Sequence, residues 1–354
     1  MVSTGFLQWA IFSAKSATPH DEVKPQNQEV TLPGQFRGSK TKIKLAKISG
    51  IHEAINGVRA KLFTGTYTAI VTPFAGGKID EKALARLVRG QVRAGVDGIV
   101  PVGTTGESPT LDYEEHIRVI EAAIDFAGGK IKVLAGTGGN STAEAVYLTK
   151  AAQDAGADGS LQVAPYYNKP TQEGLFQHFR EIAQSTKLPI LLYSIPGRCG
   201  IEIGVETVRR LAEACKNIVG IKEAGGLSER VSQLRSVTPN NFTILCGDDA
   251  LTLPFMALGA DGVVSVASNI IPRQVSHMVQ AFGSGKVATA RKIHEKYFAL
   301  FKNLFIETNP VPIKAALALL GVMEEEYRLP LVPMASKNRE TLEATLRECG
   351  LLGN

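Results

Sequence analysis

From Leu62 onward, short apolar runs rich in β-branched residues alternate with longer stretches in which apolar positions recur every three or four residues. A run of the first kind marks a strand buried on both faces; the second marks a helix that turns one stripe toward a core. Eight runs predict strands: Tyr67–Val71, Gly98–Val102, Lys132–Ala135, Ser160–Ala164, Ile190–Tyr193, Val219–Lys222, Thr243–Cys246 and Gly262–Val266. Windows between them, such as Glu81–Ala94, Thr142–Ala155 and Val205–Ala214, predict amphipathic helices, several stopped by a glycine suited to a left-handed cap. The related segments beginning at Ala94, Ala155 and Leu258 ("AGVDGI", "AGADGS", "LGADGV") fall at helix-to-strand junctions, where Gly supplies the turn and Asp a cap. Eight strand–helix units with fully apolar strands predict an α/β fold, a closed (β/α)8 TIM barrel. An open doubly wound sheet would carry a Gly-rich turn after its first strand, but the chain there reads "VTPF" at Val71–Phe74, with neither GxGxxG nor a Walker A pattern.

The alternation ends near residue 285. Helical windows at 286–304, 310–320 and 337–347 follow, separated by Pro310, Pro312, Pro330 and Pro333. Residues 62–285 are therefore read as the barrel and 286–354 as a C-terminal helical region. Residues 1–61 show neither period and are read as a disordered extension. Their acid-poor start and the basic run Lys40, Lys42, Lys44 and Lys47 match an organelle transit peptide, although Asp21, Glu22 and Glu29 weaken the match. On that reading the compartment is a plastid stroma; if the segment is a retained arm, it is the cytoplasm.

Charge follows the same division. The net +5 is carried by residues 1–61, with nine Lys/Arg against four Asp/Glu, and leaves 30 of each sign on the remainder. A nucleic-acid footprint needs clustered basic residues on the folded body, so that class is excluded. No apolar run is long enough to span a bilayer. Four scattered cysteines form no CxxC pair, which fits a reducing compartment, and the six histidines show no metal-ligand spacing.

In a barrel of this kind chemistry sits at the C-terminal ends of the strands. Lys222 ends the sixth predicted strand in "VGIKEA". A lysine there is costly if it only packs, although a strand-end lysine can also snorkel to water. At a barrel mouth desolvation favours the neutral form of an amine, a nucleophile able to attack a ketone. After the second strand comes "VGTTGE", where Thr104 and Thr105 offer hydroxyls and approachable backbone N–H groups to a small carboxylate; many Gly/Thr turns are merely turns. The fourth strand leads into "APYYNKP" with Tyr166 and Tyr167, which suit interface packing or a proton relay. Tyr193 ends the fifth strand and can act as acid and base, and Arg198 in the following Pro-Gly loop can clamp a second carboxylate. Each has a structural explanation alone; their convergence on one mouth is the argument.

These blocks, with "GTTGES" at 103–108, "AGTGGNSTAEA" at 135–145, "APYYNKPTQEGL" at 164–175, "YSIPGRCG" at 193–200, "GIKEA" at 220–224 and "CGDDA" at 246–250, carry a resemblance. From Phe63 to about Leu352 the chain resembles the dihydrodipicolinate synthase family, within the pyruvate-dependent class I aldolase superfamily. The resemblance implies 4-hydroxy-tetrahydrodipicolinate synthesis from pyruvate and L-aspartate 4-semialdehyde, on the diaminopimelate route to lysine, without metal or organic cofactor. It implies that Lys222 forms an imine with pyruvate, and that Thr104, Tyr193 and Tyr167 relay protons, Tyr167 reaching into a neighbouring subunit of a homotetramer. Thr105 would hold the pyruvate carboxylate and Arg198 that of the semialdehyde, with Gly247 and the Val264 backbone lining the lysine's surroundings. Ser108, His116, Asn140, Glu144 and Tyr166 match a feedback site for lysine.

The chain departs from the family pattern at Ser194 and Cys199, where Asn and Thr are usual, and at Pro109, which replaces a small residue. The nearest rivals are N-acetylneuraminate lyase and 4-hydroxy-2-oxoglutarate aldolase, which share the imine lysine and Tyr193. The Thr104–Thr105 pair and Arg198 argue against the first. A non-catalytic barrel serving as a scaffold is the rival of another class.

Overall fold

The computed structural model describes residues 61–353; the transit-peptide reading of residues 1–61 falls almost wholly outside them. Eight parallel strands close into a barrel: β1 (Gly65–Ala69), β4 (Gly98–Val100), β5 (Lys132–Gly136), β6 (Gly159–Val163), β7 (Ile190–Ser194), β8 (Ile218–Glu223), β9 (Thr243–Cys246) and β10 (Gly262–Ser265). The fold expected from the alternation is the fold found. A small antiparallel hairpin, β2 (Phe74–Ala75) and β3 (Lys78–Ile79), follows β1. Strands of two residues carry no readable alternation, so sequence reading passed over it.

Helices α1 (Glu81–Ala94), α2 (Tyr113–Ala127), α3 (Thr142–Asp154), α4 (Gln172–Gln184), α5 (Pro196–Cys199), α6 (Val205–Ala214), α7 (Glu229–Val237), α8 (Thr252–Ala257) and α9 (Pro272–Gly283) link the strands and coat the barrel. Local chemistry sets their ends. Asp80 caps α1 by accepting from the Ala83 N–H, and Gly95 stops it at φ 77°. Asp112 and Glu115 form a reciprocal capping box at α2.

The repeated Gly-Asp segments have a different role from helix capping. Asp97 accepts from the Thr66 N–H, Asp158 from the Val133 N–H and Asp261 from the Ile244 N–H, each at 2.8 Å. In every case the carboxylate entering one barrel strand accepts from a backbone N–H near the start of the preceding barrel strand, which pins the register of β4 to β1, β6 to β5 and β10 to β9.

Side chains alternate between two cores. Ile190 and Leu192 of β7 face the helices, whereas Leu191 and Tyr193 face the barrel axis with Phe63, Tyr67, Val100, Leu134, Leu161, Leu245 and Val264. Because the period is two, the same alternation carries Ile221 outward and Lys222 inward, level with Tyr193 in the β7–β8 register. The helical region comprises α10 (Val287–Asn303), α11 (Val311–Leu319) and α12 (Ser336–Glu348); α10 packs on α9 and α12, and α11 packs on α12. No helix among the described residues is long and apolar enough to cross a membrane.

Candidate active site

Two adjoining cavities open at the C-terminal ends of the strands. The deeper, about 40 Å³, is lined by Thr104, Thr105, Tyr193, Arg198, Lys222 and Gly247, together with Val266, Phe305 and Asn309. The wider, about 210 Å³, shares Thr104, Tyr193 and Arg198 and extends to Ser108, Pro109, Tyr166 and Cys199.

Lys222 is 7% exposed, and its Nζ lies 4.0 Å from the centroid of the Tyr193 ring. Three cations are buried among the described residues. Arg230 is bonded to Glu223 and Lys314 to Glu107, but Lys222 has no carboxylate partner. A buried amine left unpaired loses its hydration without the Coulombic return of an ion pair, a cost retained where the group has other work. Gly247 makes the room: a Cβ there would stand 3.0 Å from Lys222 Cε and 2.6 Å from Ala224 Cβ.

The loop after β4 coils into a 3-10 turn, Thr104–Gly106, and both threonines line the deep cavity. The next residue, Glu107, adopts φ 53°, a left-handed conformation that a side chain tolerates only under constraint. Glu107 is fully buried against Lys314 of α11 and accepts from the Arg328 N–H at 3.3 Å. Burial pulls the Lys314 ammonium below its ordinary range, against the pull of Glu107. Arg198, on α5, donates from Nη2 to the Asn309 carbonyl at 3.0 Å, and both residues line the deep cavity. Ser194 closes the same loop by accepting from the Ile203 N–H at 3.3 Å. The Cys199 thiol is pushed up to about 11 by burial, against the pull of Arg198.

Not every residue singled out in the sequence converges here. Tyr167 is 90% exposed at φ 73° and lines neither cavity of its own chain. Val264 lies deeper in the barrel core, and Val266 is the residue that borders the cavity. Ser108 and Tyr166 line the wider cavity; Asn140 Nδ2 donates to the Tyr166 carbonyl at 3.2 Å, and Glu144 lies in the first turn of α3. Burial, and next the charge of Glu144, raise the Tyr166 phenol. His116 is buried with Nε2 2.9 Å from the Gly136 carbonyl oxygen. Phe305 and Asn309 were missed. They sit between α10 and α11, in a stretch whose prolines had signalled only a helix boundary; a polar residue just ahead of "PVP" was the one available clue. Among the described residues no group of three His, Cys, Asp or Glu side chains is placed to hold a metal ion.

A closed parallel barrel whose mouth gathers an unpaired amine, a phenol, two hydroxyls and a guanidinium defines a (β/α)8 enzyme, a lyase. The chain belongs to the Dihydrodipicolinate synthetase family, whose model matches residues 62–349. It is 51% identical over 292 residues to the 4-hydroxy-tetrahydrodipicolinate synthase of Persephonella marina, covering 82% of this chain and all of that one. Among solved structures, the 4-hydroxy-tetrahydrodipicolinate synthase of Methylacidiphilum fumariolicum SolV is similar at TM-score 0.81 and 58% identity, covering 82% of this chain and 96% of that one. The lysine-bound enzyme from Cyanidioschyzon merolae matches at TM-score 0.80 and 44% identity, over 82% and 99% of the two chains.

Proposed function

We infer that the protein is a 4-hydroxy-tetrahydrodipicolinate synthase, condensing pyruvate with L-aspartate 4-semialdehyde in lysine biosynthesis. The observation that carries this reading is the unpaired Lys222 amine beside Tyr193 in a cavity that also holds Thr104, Thr105 and Arg198. Lys222 Nζ adds to the pyruvate ketone, and loss of water leaves an iminium. The cation acidifies the pyruvate methyl by accepting the electron pair released with its proton, and the enamine so formed attacks the aldehyde carbon of the semialdehyde. The semialdehyde amine then closes the ring on the imine carbon and expels Lys222.

Thr105 binds the pyruvate carboxylate and Arg198 the carboxylate of the second substrate, consistent with a guanidinium already held by the Asn309 carbonyl. Thr104 and Tyr193 move protons with Tyr167 of a neighbouring subunit, since the exposed Tyr167 serves no site on its own chain. That division of labour requires an oligomer, read here as a homotetramer. Lysine inhibits by binding Ser108, His116, Asn140, Glu144 and Tyr166, with Glu144 facing its cation. Residues 1–61 direct the protein to a plastid stroma and are removed there; mass spectrometry of the native N-terminus checks this, and a mature chain starting at Met1 refutes it.

Borohydride reduction in the presence of pyruvate should fix one three-carbon unit on Lys222, read by peptide mass. Lys222→Ala should take no label and lose at least about a thousandfold in turnover. Label at another lysine, or none on the native enzyme, refutes the mechanism. A dose-response flat to millimolar lysine removes the feedback site.

A further inference from the structure

We propose that Asn309 is a positioning residue for this reaction, setting the direction of the Thr105 hydroxyl so that its single hydrogen is delivered into the deep cavity. The inference rests on the reading of Thr105 as the group that receives the pyruvate carboxylate. Asn309 Nδ2 donates to Thr105 Oγ1 at 3.0 Å, and both side chains are buried, at 4% and 3% exposure. No other hydrogen bond engages the Thr105 hydroxyl among the described residues. A hydroxyl has one hydrogen and two lone pairs. With a lone pair taken by the amide, the hydrogen turns away from Asn309, and the cavity that both residues line is where it can find an acceptor.

Asn309 Oδ1 is buried without a partner, although rotating the amide by half a turn would let it accept the Thr105 proton. The rotated amide would instead leave its N–H groups without an acceptor, so an unsatisfied buried group costing about 1–3 kcal/mol is present either way, and the arrangement found is the one with Asn309 as donor. It leaves Thr105 a donor, and an anion is bound by donors. The Asn309 backbone carbonyl meanwhile accepts from Arg198 at 3.0 Å. One residue of the helical region therefore touches both groups assigned to carboxylates, through its side chain at Thr105 and its backbone at Arg198. Only the first link depends on the identity of residue 309, so side-chain substitutions separate the two.

Asn309→Asp keeps the shape but offers only acceptors, so it turns the Thr105 proton away from the cavity and sets a negative charge beside it. Pyruvate KM should rise roughly tenfold or more, with pyruvate-dependent borohydride labelling of Lys222 shifted to the same higher concentration. The semialdehyde KM should stay within about twofold, because the Arg198 contact is to backbone. Asn309→Ala should raise pyruvate KM less than Asn309→Asp does. If Asn309→Asp does not fold, Asn309→Ala carries the test through a double-mutant cycle with Thr105→Val: a residue acting through Thr105 adds nothing once that hydroxyl is gone. Unchanged pyruvate KM in the folded variants, equal rises for both substrates, or additive effects in the cycle overturn the proposal. A native enzyme that labels normally with pyruvate while the Asn309 variants match it defeats this inference alone; a native enzyme that takes no label defeats the underlying mechanism as well.

Discussion

Lys222 and Tyr193 face each other across adjacent strands, and the 4.0 Å between amine and ring centroid leaves the phenol hydroxyl as the part of Tyr193 whose removal is informative. Tyr193→Phe keeps the ring packed in the barrel core and deletes the hydroxyl proposed to transfer protons. Loss of a general acid–base group costs about 10²–10⁴ in rate. The expected outcome is a fall in kcat of at least about a hundredfold, with a thermal midpoint close to the native one; kcat within a few-fold of native would remove Tyr193 from the proton relay. Both residues were legible from the sequence because a strand alternates with period two and a barrel presents its chemistry at one end of every strand. Asn309 was not legible, since it belongs to no periodic element and reaches Thr105 across 204 positions. Val264 and Val266 show the finer limit. Val264 faces the axis from within β10, whereas Val266 lies past the strand's end at Ser265 in helical backbone, so a period-two reading cannot say which of them borders the cavity.

At the scale of elements, the helical region is part of the site's construction. It meets the 103–108 turn through Asn309 on Thr105, through Lys314 of α11 on Glu107 and through the Arg328 N–H on Glu107. The strand and helix periods located α10, α11 and α12 to within a residue or two, and cap chemistry located the end of α1. What periods cannot reveal is a pair joined across 207 positions, and Lys314 inside a helical window reads as one more exposed cation until its helix is docked. The pair is wholly buried, so the cost of breaking it falls on the partner left behind. Lys314→Met strands the Glu107 carboxylate and should destabilise by about 3–5 kcal/mol, whereas Glu107→Gln with Lys314→Met removes both charges and should recover most of that loss. Chemical denaturation of the three variants checks this. A double variant as unstable as Lys314→Met alone would mean that the pair is not the source of the effect. The left-handed Glu107 backbone ties this pair to the neighbouring 3-10 turn, so the double variant should also show a raised pyruvate KM while its stability is largely restored.

Over the whole molecule, buried titratable groups set the acid limit. His116 and His178 are 3% and 6% exposed, and burial pushes both imidazoles down from 6.5 to about 4, the Gly136 carbonyl offsetting part of the effect at His116. An unfolded chain protonates these rings near pH 6.5 and the folded protein only near 4. Between those values the unfolded state binds more protons, so stability falls as pH falls. At about 1.4 kcal/mol per unit, each ring contributes roughly 3 kcal/mol that is present above pH 6.5 and lost as pH approaches 4. Glu223 and Asp249 work in the opposite sense. Burial raises both carboxyls, so the folded protein binds their protons first and their penalty eases on acidification. A single melting curve sums the two effects, and a histidine variant separates them. His178 shares one hydrogen bond with Thr142 through Nδ1 at 2.9 Å and has no partner at Nε2, so His178→Asn, whose amide is attached at Cγ as Nδ1 is, can keep the bond and lose the titration. Thermal midpoints from about pH 7.5 down to about 4.5 should then fall less steeply for His178→Asn than for the native protein, the two curves converging as the acid limit is approached. A gap between them that stays constant across that range would show that proton uptake at His178 has no part in acid unfolding.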